Sequence, residues 1–217
     1  MRFRCRAVLF DLDGVLVDSR VVVERTWRRW AERHQLDPDD ILRIAHGRRT
    51  RDTLKEVNPR LATDAEISWL DTAELEDVEG MHTVPGAPQL LAALPPRRWA
   101  IVTSCTRDLA RLRLSTVGLP VPDVLIVSEE VEQGKPSPEG YRLGASRLGV
   151  DPRECVVFED APAGIAAGKA AGARVVGLIT THAVADLAAA DTTIGDLRSV
   201  RVRPDQEEMV VTIDPAQ

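Results

Sequence analysis

No apolar run in the 217 residues approaches the roughly eighteen that a membrane-crossing helix needs. The first apolar run, Ala7 to Phe10, is cut short by Asp11 and Asp13, so the Arg-rich start from Met1 to Arg6 leads into no signal peptide and the chain reads as cytoplasmic. Cysteine is scarce. Cys5, Cys105 and Cys155 stand far apart, with no CxxC or Cys/His spacing, which excludes a disulfide framework and a zinc site and leaves them as small reduced fillers. An excess of positive charge is also missing: 28 Lys and Arg stand against 34 Asp and Glu, a net charge of −6. That balance gives no footprint for nucleic acid or an anionic membrane, so an anionic substrate must be met by a local site. Lysine itself is nearly absent, with Lys55, Lys135 and Lys169 beside 25 arginines. An ammonium is a compact point charge and a guanidinium a wide planar fork, so each lysine in this chain has to be weighed separately.

What is present is a chain with 44% hydrophobic residues, enough for a substantial core in one large domain or a domain with an insertion. Short apolar or β-branched runs at Ala7–Phe10, Trp99–Thr103, Val124–Val127, Cys155–Phe158 and Arg174–Ile179 read as strands buried on both faces. Helical patterns lie between them, around Leu109–Leu114, Tyr141–Leu148 and Ala161–Ala171. The alternation predicts a doubly wound, Rossmann-like α/β core with a parallel sheet, whose ligands belong at the C-terminal strand ends. Over eighty residues separate the first strand from the second, and Val17 to about Val78 shows helical periodicity with no convincing strand. Trp27, Trp30, Ala31 and His34 are spaced i, i+3, i+4, i+7, and Ile67, Leu70, Ala73 and Leu75 follow more loosely. The expected division is a core of residues 1–16 and 83–217 and an inserted helical cap of 17–82, hinged near Val15–Ser19 and Gly80–Gly86. The alternation Met209–Ile213 predicts an edge strand.

Asp11 and Asp13 follow the first strand directly, and two carboxylates at i and i+2 on extended chain point the same way, where they call for a cation. Oxygen ligands with no nearby His or Cys favour Mg²⁺, usually with phosphate oxygens as partners. Glu159-Asp160 ends a second strand, Lys135 in Gly134-Lys135-Pro136 follows a third, and Thr103-Ser104 closes a fourth. Four strand ends thus offer carboxylates, a hydroxyl and an ammonium to one crevice. Elsewhere the plain readings hold: Asp18 caps the first inserted helix, Trp27 and Trp30 are cap core, and Gly164, Gly168 and Gly172 let a helix lie close to the sheet. Gly134-Lys135 is no Walker loop, because Glu129 and Pro136 stand where that motif requires Gly and Ser or Thr.

Taken in order, Asp11-x-Asp13-Gly-Val, Ser104, Lys135 and Glu159-Asp160 resemble the four motifs of the haloacid dehalogenase-like hydrolase superfamily. The insertion after the first motif is similar to the helical cap of its phosphoglycolate phosphatase and β-phosphoglucomutase branch, and the texture is that of bacterial sugar phosphatases. The resemblance implies a Mg²⁺-dependent phosphatase acting on a small phosphorylated metabolite through an aspartyl-phosphate, with Asp11 as nucleophile, Asp13 as general acid and base, and Ser104 and Lys135 on the phosphoryl oxygens. It implies a metal held by the Asp11 carboxylate, the Asp13 main-chain carbonyl and the Asp160 carboxylate, with Glu159 bound directly or through water. Thr103 and Cys105 beside Ser104, with Arg48 in the cap and Arg107, are the candidate substrate contacts.

Mutases of the same branch carry a cap-helix His where this chain has Val23, an Arg near Thr50, and a Ser-Lys-Asn run where it has Thr106-Arg107-Asp108. Those departures favour hydrolysis, with Arg107 as a partial substitute. The second Asp, Asp13, argues against a dehalogenase, and the long insertion against a catalytically silent phosphate-binding regulator of receiver type. A monomer is the default expectation.

Overall fold

A computed structural model describes residues 1–205 and 208–214. The chain runs through β1 (Arg2–Cys5), β2 (Ala7–Phe10), β3 (Val17–Asp18), α1 (Arg20–His34), α2 (Pro38–Ala45), α3 (Thr50–Val57), α4 (Asp64–Glu76) and β4 (His82–Thr83). It continues with α5 (Ala87–Ala93), β5 (Trp99–Val102), α6 (Arg107–Thr116), β6 (Leu125–Ile126), α7 (Glu139–Arg147), β7 (Cys155–Glu159) and α8 (Pro162–Ala171). The last elements are β8 (Arg174–Leu178), β9 (Thr192–Ile194), β10 (Val200–Asp205) and β11 (Glu208–Ile213).

Among the described residues, β6-β5-β2-β7-β8-β9 form a six-stranded parallel sheet in that order. Successive residues of β2 serve opposite faces: Val8 and Phe10 pack with Leu90, Leu114 and Phe158, while Ala7 and Leu9 pack with Tyr141, Ala145 and Ile165. Burial on both faces is why the strands read as continuous apolar runs rather than alternations. From β2 the chain adds strands on one side (β5, β6) and later on the other (β7, β8, β9), so the crevice at the carboxyl end of β2 is the switch point of the sheet. Phe10 lies level with both Ile101 and Phe158, which brings the residues after β2, β5 and β7 to one edge. The five predicted strands are present, and β9 is an addition: three residues, two of them Thr, carry no apolar run.

Helices α1 to α4 have a core of their own around Trp27, Trp30, Ile41, Leu54 and Leu70. The two tryptophans meet edge to face at 5.7 Å, as cap core rather than an exposed platform. Leu75, the loose member of the α4 pattern, is exposed. The expectation of no strand in this region is corrected at its border. Val17↔Thr83 and Asp18↔His82 form a two-stranded antiparallel ribbon where the chain enters and leaves the insertion, too short for periodicity to reveal. The helix-cap reading of Asp18 is corrected too: Ser19 occupies the N-cap of α1, and Asp18, one residue earlier, accepts the Arg20 N–H at 3.3 Å.

Met209–Ile213 is not an edge strand. β11 is the middle strand of an antiparallel sheet, between β1 and β10, with Met209, Val211 and Ile213 buried against the main core. The alternation was legible in β11, but Arg2, Arg4, Arg201 and Arg203 on the outer positions of β1 and β10 disguised its neighbours. Among the described residues no helix is long and apolar enough to cross a membrane.

The three glycines of the α8 region prove unequal. Gly168 lets α8 approach Val157 and Val175, as expected of a packing glycine. Gly172 is instead the left-handed C-cap of α8, at φ 96°. Gly164 makes room for the Glu159 carboxylate, which any Cβ there would overlap. Gly164→Ala is therefore expected to lose about 3 kcal/mol despite the higher helix propensity of alanine, because a buried carboxylate with fixed partners cannot step aside. Thermal unfolding checks this; an unchanged or higher Tm contradicts it.

Candidate active site

Four strand ends supply the site. Asp11 leaves β2 with its N–H donated to the Phe158 carbonyl at 3.0 Å, which fixes it beside the end of β7. The chain then turns tightly: the N–H groups of Leu16 and Val17 return to the Leu12 carbonyl, and Gly14 takes φ 71°. A side chain at Gly14 would run into the Asp160 carboxylate, so glycine is needed for space as well as for conformation.

Lys135 reaches this corner from the loop after β6. Its ammonium pairs with Asp11 Oδ1 at 2.9 Å and Glu159 Oε1 at 2.7 Å, all three side chains being almost wholly buried. Glu159 is held on both oxygens: Oε1 also accepts the Tyr141 hydroxyl at 2.7 Å, and Oε2 accepts the N–H groups of Asp160 at 2.9 Å and Ala161 at 3.2 Å. Asp160 Oδ2 accepts the Thr181 hydroxyl, while its Oδ1 is buried without a hydrogen-bond partner. Burial pushes Asp11 up to about 7, with Lys135 opposing the shift and Glu159 and Asp13 adding to it. Burial likewise drives Asp160 well above the usual carboxylate range. For Lys135 burial works downward, but Asp11 and Glu159 outweigh it and raise it.

The cluster is short of positive charge. Three buried carboxylates surround one ammonium, and oxygens of Asp11, Glu159 and Asp160 lie within 4.8 Å of one another. An all-oxygen donor set with an unpartnered Asp160 Oδ1 fits a hard divalent cation, the class of Mg²⁺, and offers nothing to a softer metal.

Asp13 faces a different set of partners. Its Oδ1 accepts the Ser19 hydroxyl at 2.5 Å, and its Oδ2 accepts the Arg113 guanidinium at 2.6 Å and the Cys105 thiol at 2.9 Å. Arg113 also donates to Glu74 of α4 at 2.7 Å. The reading of all three cysteines as apolar fillers therefore holds for Cys5, whose thiol burial pushes up to about 12, holds less fully for Cys155, likewise pushed up to about 12 but with its thiol 3.5 Å from the Asp151 carbonyl, and fails for Cys105, which is a polar contact of Asp13.

Ser104 Oγ donates to the Gly47 carbonyl at 3.0 Å, so the turn between α2 and α3 rests on the end of β5. Thr103 Oγ1 accepts the Cys105 N–H at 3.1 Å. Arg49 strengthens the same junction, donating to the Val131 carbonyl at 3.1 Å and the Glu132 carbonyl at 3.3 Å. Between the insertion and the sheet lies a cavity of about 390 Å³, with Asp11, Asp13, Ser104 and Cys105 on one side and Trp27, Arg48, Thr50 and Asp71 on the other. Thr103 and Arg48, expected as substrate contacts, line this cavity, and Arg48 is drawn to Glu56 at 2.6 Å. Arg107 is turned instead to Glu130 at 2.8 Å and stays outside it. Sequence reasoning passed over Arg113, Glu74 and Ser19. A signal existed for Arg113, which stands three and four residues after Ala110 and Leu109 on the buried face of α6, where an arginine needs a partner.

Comparison with known proteins shows the family. The family description "haloacid dehalogenase-like hydrolase" matches residues 5–172. Hexitol phosphatase A of Escherichia coli is 41% identical over 204 residues, covering 92% of this chain and 94% of its own. Glycerol-1-phosphate phosphohydrolase 1 of Saccharomyces cerevisiae is 39% identical over 194 residues, covering 83% and 77%. Among solved structures, a hydrolase from Pseudomonas syringae superposes with a TM-score of 0.78 at 26% identity, over 89% of this chain and 94% of that one.

Proposed function

The chain belongs to the haloacid dehalogenase-like hydrolases, and from that premise we propose that it is a Mg²⁺-dependent phosphatase of sugar or polyol monophosphates. The observation that carries the reading is the buried cluster of three carboxylates and one ammonium, which reaches the cavity through Asp11. Asp11 attacks phosphorus in line and becomes the aspartyl-phosphate, which divides one difficult hydrolysis into two easier steps. Asp13 gives a proton to the leaving oxygen and then takes one from the water that opens the acyl phosphate. Such acid–base help contributes about 10²- to 10⁴-fold, far below the largest known accelerations of phosphate monoester hydrolysis, about 10²¹-fold. Charge neutralisation must supply much of the remainder. Lys135 and the Ser104 hydroxyl serve the phosphoryl oxygens, and Glu159 holds Lys135 in place. Asp11, Asp160 and the main-chain carbonyl of Asp13 would hold the metal, with Glu159 beside them. The bound cation supplies further neutralisation of phosphoryl charge.

The cap reading follows from the same arrangement. Residues 17–82 move against 1–16 and 83–217 about the β3–β4 ribbon and the Gly80–Gly86 segment, admitting substrate when apart and excluding water when together. Hydrolysis is favoured over mutation by the loop arginines. Arg48 is paired with Glu56, Arg49 with Asp52 and Arg51 with Asp64, so none of the three is held out toward a second phosphate. Asp71 on the same wall suits hydroxyl groups and repels another anion.

The test is phosphate release from a panel of hexitol, glycerol, hexose and glycolate phosphates, with Mg²⁺ and with excess EDTA. Release from the sugar or polyol members, lost with EDTA and restored by Mg²⁺, is the expected result. Isomerisation of a sugar phosphate without release would put the mutase reading first, and EDTA-resistant release would remove the metal from the mechanism.

A further inference from the structure

Arg113 is fully buried, yet its two arms reach two different parts of the molecule. One nitrogen, Nη1, lies 2.6 Å from Asp13 Oδ2, on the loop after β2; the other, Nη2, lies 2.7 Å from Glu74 Oε2, on α4 of the insertion. The Nη1 arm also touches Cys105 Sγ at 2.8 Å. A guanidinium is a rigid planar fork, so the angle at which it meets one carboxylate fixes where it can meet the other. Moving α4 away from the core removes Glu74 from the fork and leaves a buried cation with one partner, a costly state that its remaining contacts must absorb. Asp13 is thereby mechanically connected to the seating of the insertion.

We propose that Arg113 is a positioning residue that sets the orientation of the Asp13 carboxylate, and that Glu74 makes this orientation depend on closure of the insertion over the cavity. The inference rests on the reading of Asp13 as general acid. Proton donation is then fully available only when substrate is enclosed, which protects the site from unproductive encounters with water. Ser19 holds the other carboxylate oxygen from the hinge side, so both oxygens of Asp13 are directed by the elements around the insertion.

A leaving group that needs a proton and one that does not separate positioning from mere stability. Leaving-group release in the first turnover, before the aspartyl-phosphate common to both substrates is hydrolysed, is measured on glycerol 1-phosphate, whose glycerol departs as an alkoxide, and on p-nitrophenyl phosphate, whose nitrophenol departs as a stabilised phenolate. In Arg113→Met, this rate on glycerol 1-phosphate is expected to fall about 10- to 100-fold, and on p-nitrophenyl phosphate less than about 3-fold. Glu74→Gln, nearly isosteric, is expected to lose about 3- to 10-fold on glycerol 1-phosphate alone and to add little once Arg113 is Met, since coupled residues are non-additive. Equal losses on the two substrates, or full additivity in the double variant, overturn the inference. Should Arg113→Met fail to fold, the selectivity of Glu74→Gln decides by the same criterion. Asp13→Asn run alongside distinguishes the premises. If it too loses both substrates equally, the acid assignment has failed; if it is selective and Arg113→Met is not, only the role of Arg113 has.

Discussion

Asp11→Asn is expected to show no measurable turnover on any substrate and to form no acid-labile phosphoenzyme, while folding normally. Asparagine keeps the size and one carbonyl oxygen of the side chain but cannot attack phosphorus as an anion, and no neighbouring carboxylate takes its place: Glu159 is held on both oxygens and Asp160 by Thr181. Stability should move the other way. Burial raises Asp11 to about 7 in the folded protein, against about 3.9 for an unperturbed Asp, so the folded state binds the proton more tightly than the unfolded one. Stability from this group is then fully present below about pH 4 and lost as pH rises toward 7, which makes the ionised nucleophile a burden on the metal-free protein at neutral pH. Replacing it with a neutral isostere removes that burden, so metal-free Asp11→Asn should unfold at a higher temperature than the parent at pH 7.5, and the difference should shrink at pH 4. Thermal unfolding in EDTA at the two pH values measures this, and phosphoenzyme trapping measures the chemistry. Retained turnover would end the covalent mechanism.

The features behind that prediction were legible in the sequence because they are local. Asp11, Ser104 and Glu159-Asp160 each sit at or just beyond the end of an apolar run, and a parallel sheet brings such ends together whatever the details of packing. Lys135 stood out through the rarity of lysine, and the insertion through a gap too long for one crossover. What was missed depends on pairings that no local pattern encodes. Arg113 and Asp13 are separated by 100 positions and meet only because α6 packs beneath the loop after β2. Cys105 looked like a filler because a thiol beside apolar residues usually is one, and its polarity here comes entirely from Asp13 and Arg113. Arg107 looked like a substrate contact because it follows Ser104 closely, yet the first turn of α6 directs it to Glu130. β1 and β10 escaped notice because strands at a surface carry arginine on one face, and an alternation of four to six residues is weak evidence by itself.

Lys135→Met carries the second large expectation, and it separates the two sources of positive charge in the site. Among the described residues the Lys135 ammonium is the cation placed between Asp11 and Glu159, at 2.9 and 2.7 Å, and methionine preserves its length and much of its bulk. Removing one partner from a buried ionic cluster costs about 3–5 kcal/mol, because the carboxylates that remain are unpaired. In EDTA the variant should therefore lose several degrees of Tm. Added Mg²⁺ acts only on the folded state and stabilises in proportion to the logarithm of its saturation, so it should recover part of the lost Tm. Turnover should not follow. A divalent cation held by Asp11 and Asp160 would neutralise part of the phosphoryl charge, and Lys135 would neutralise the rest, so the charge developing on the phosphoryl oxygens would need both. A fall of about 10³-fold or more in kcat at saturating Mg²⁺, beside a largely restored Tm, is the expected pair of results. A Tm in EDTA equal to that of the parent would show that Lys135 does not balance these carboxylates, and turnover rescued by Mg²⁺ to the parent rate would show that it does not serve the phosphoryl group.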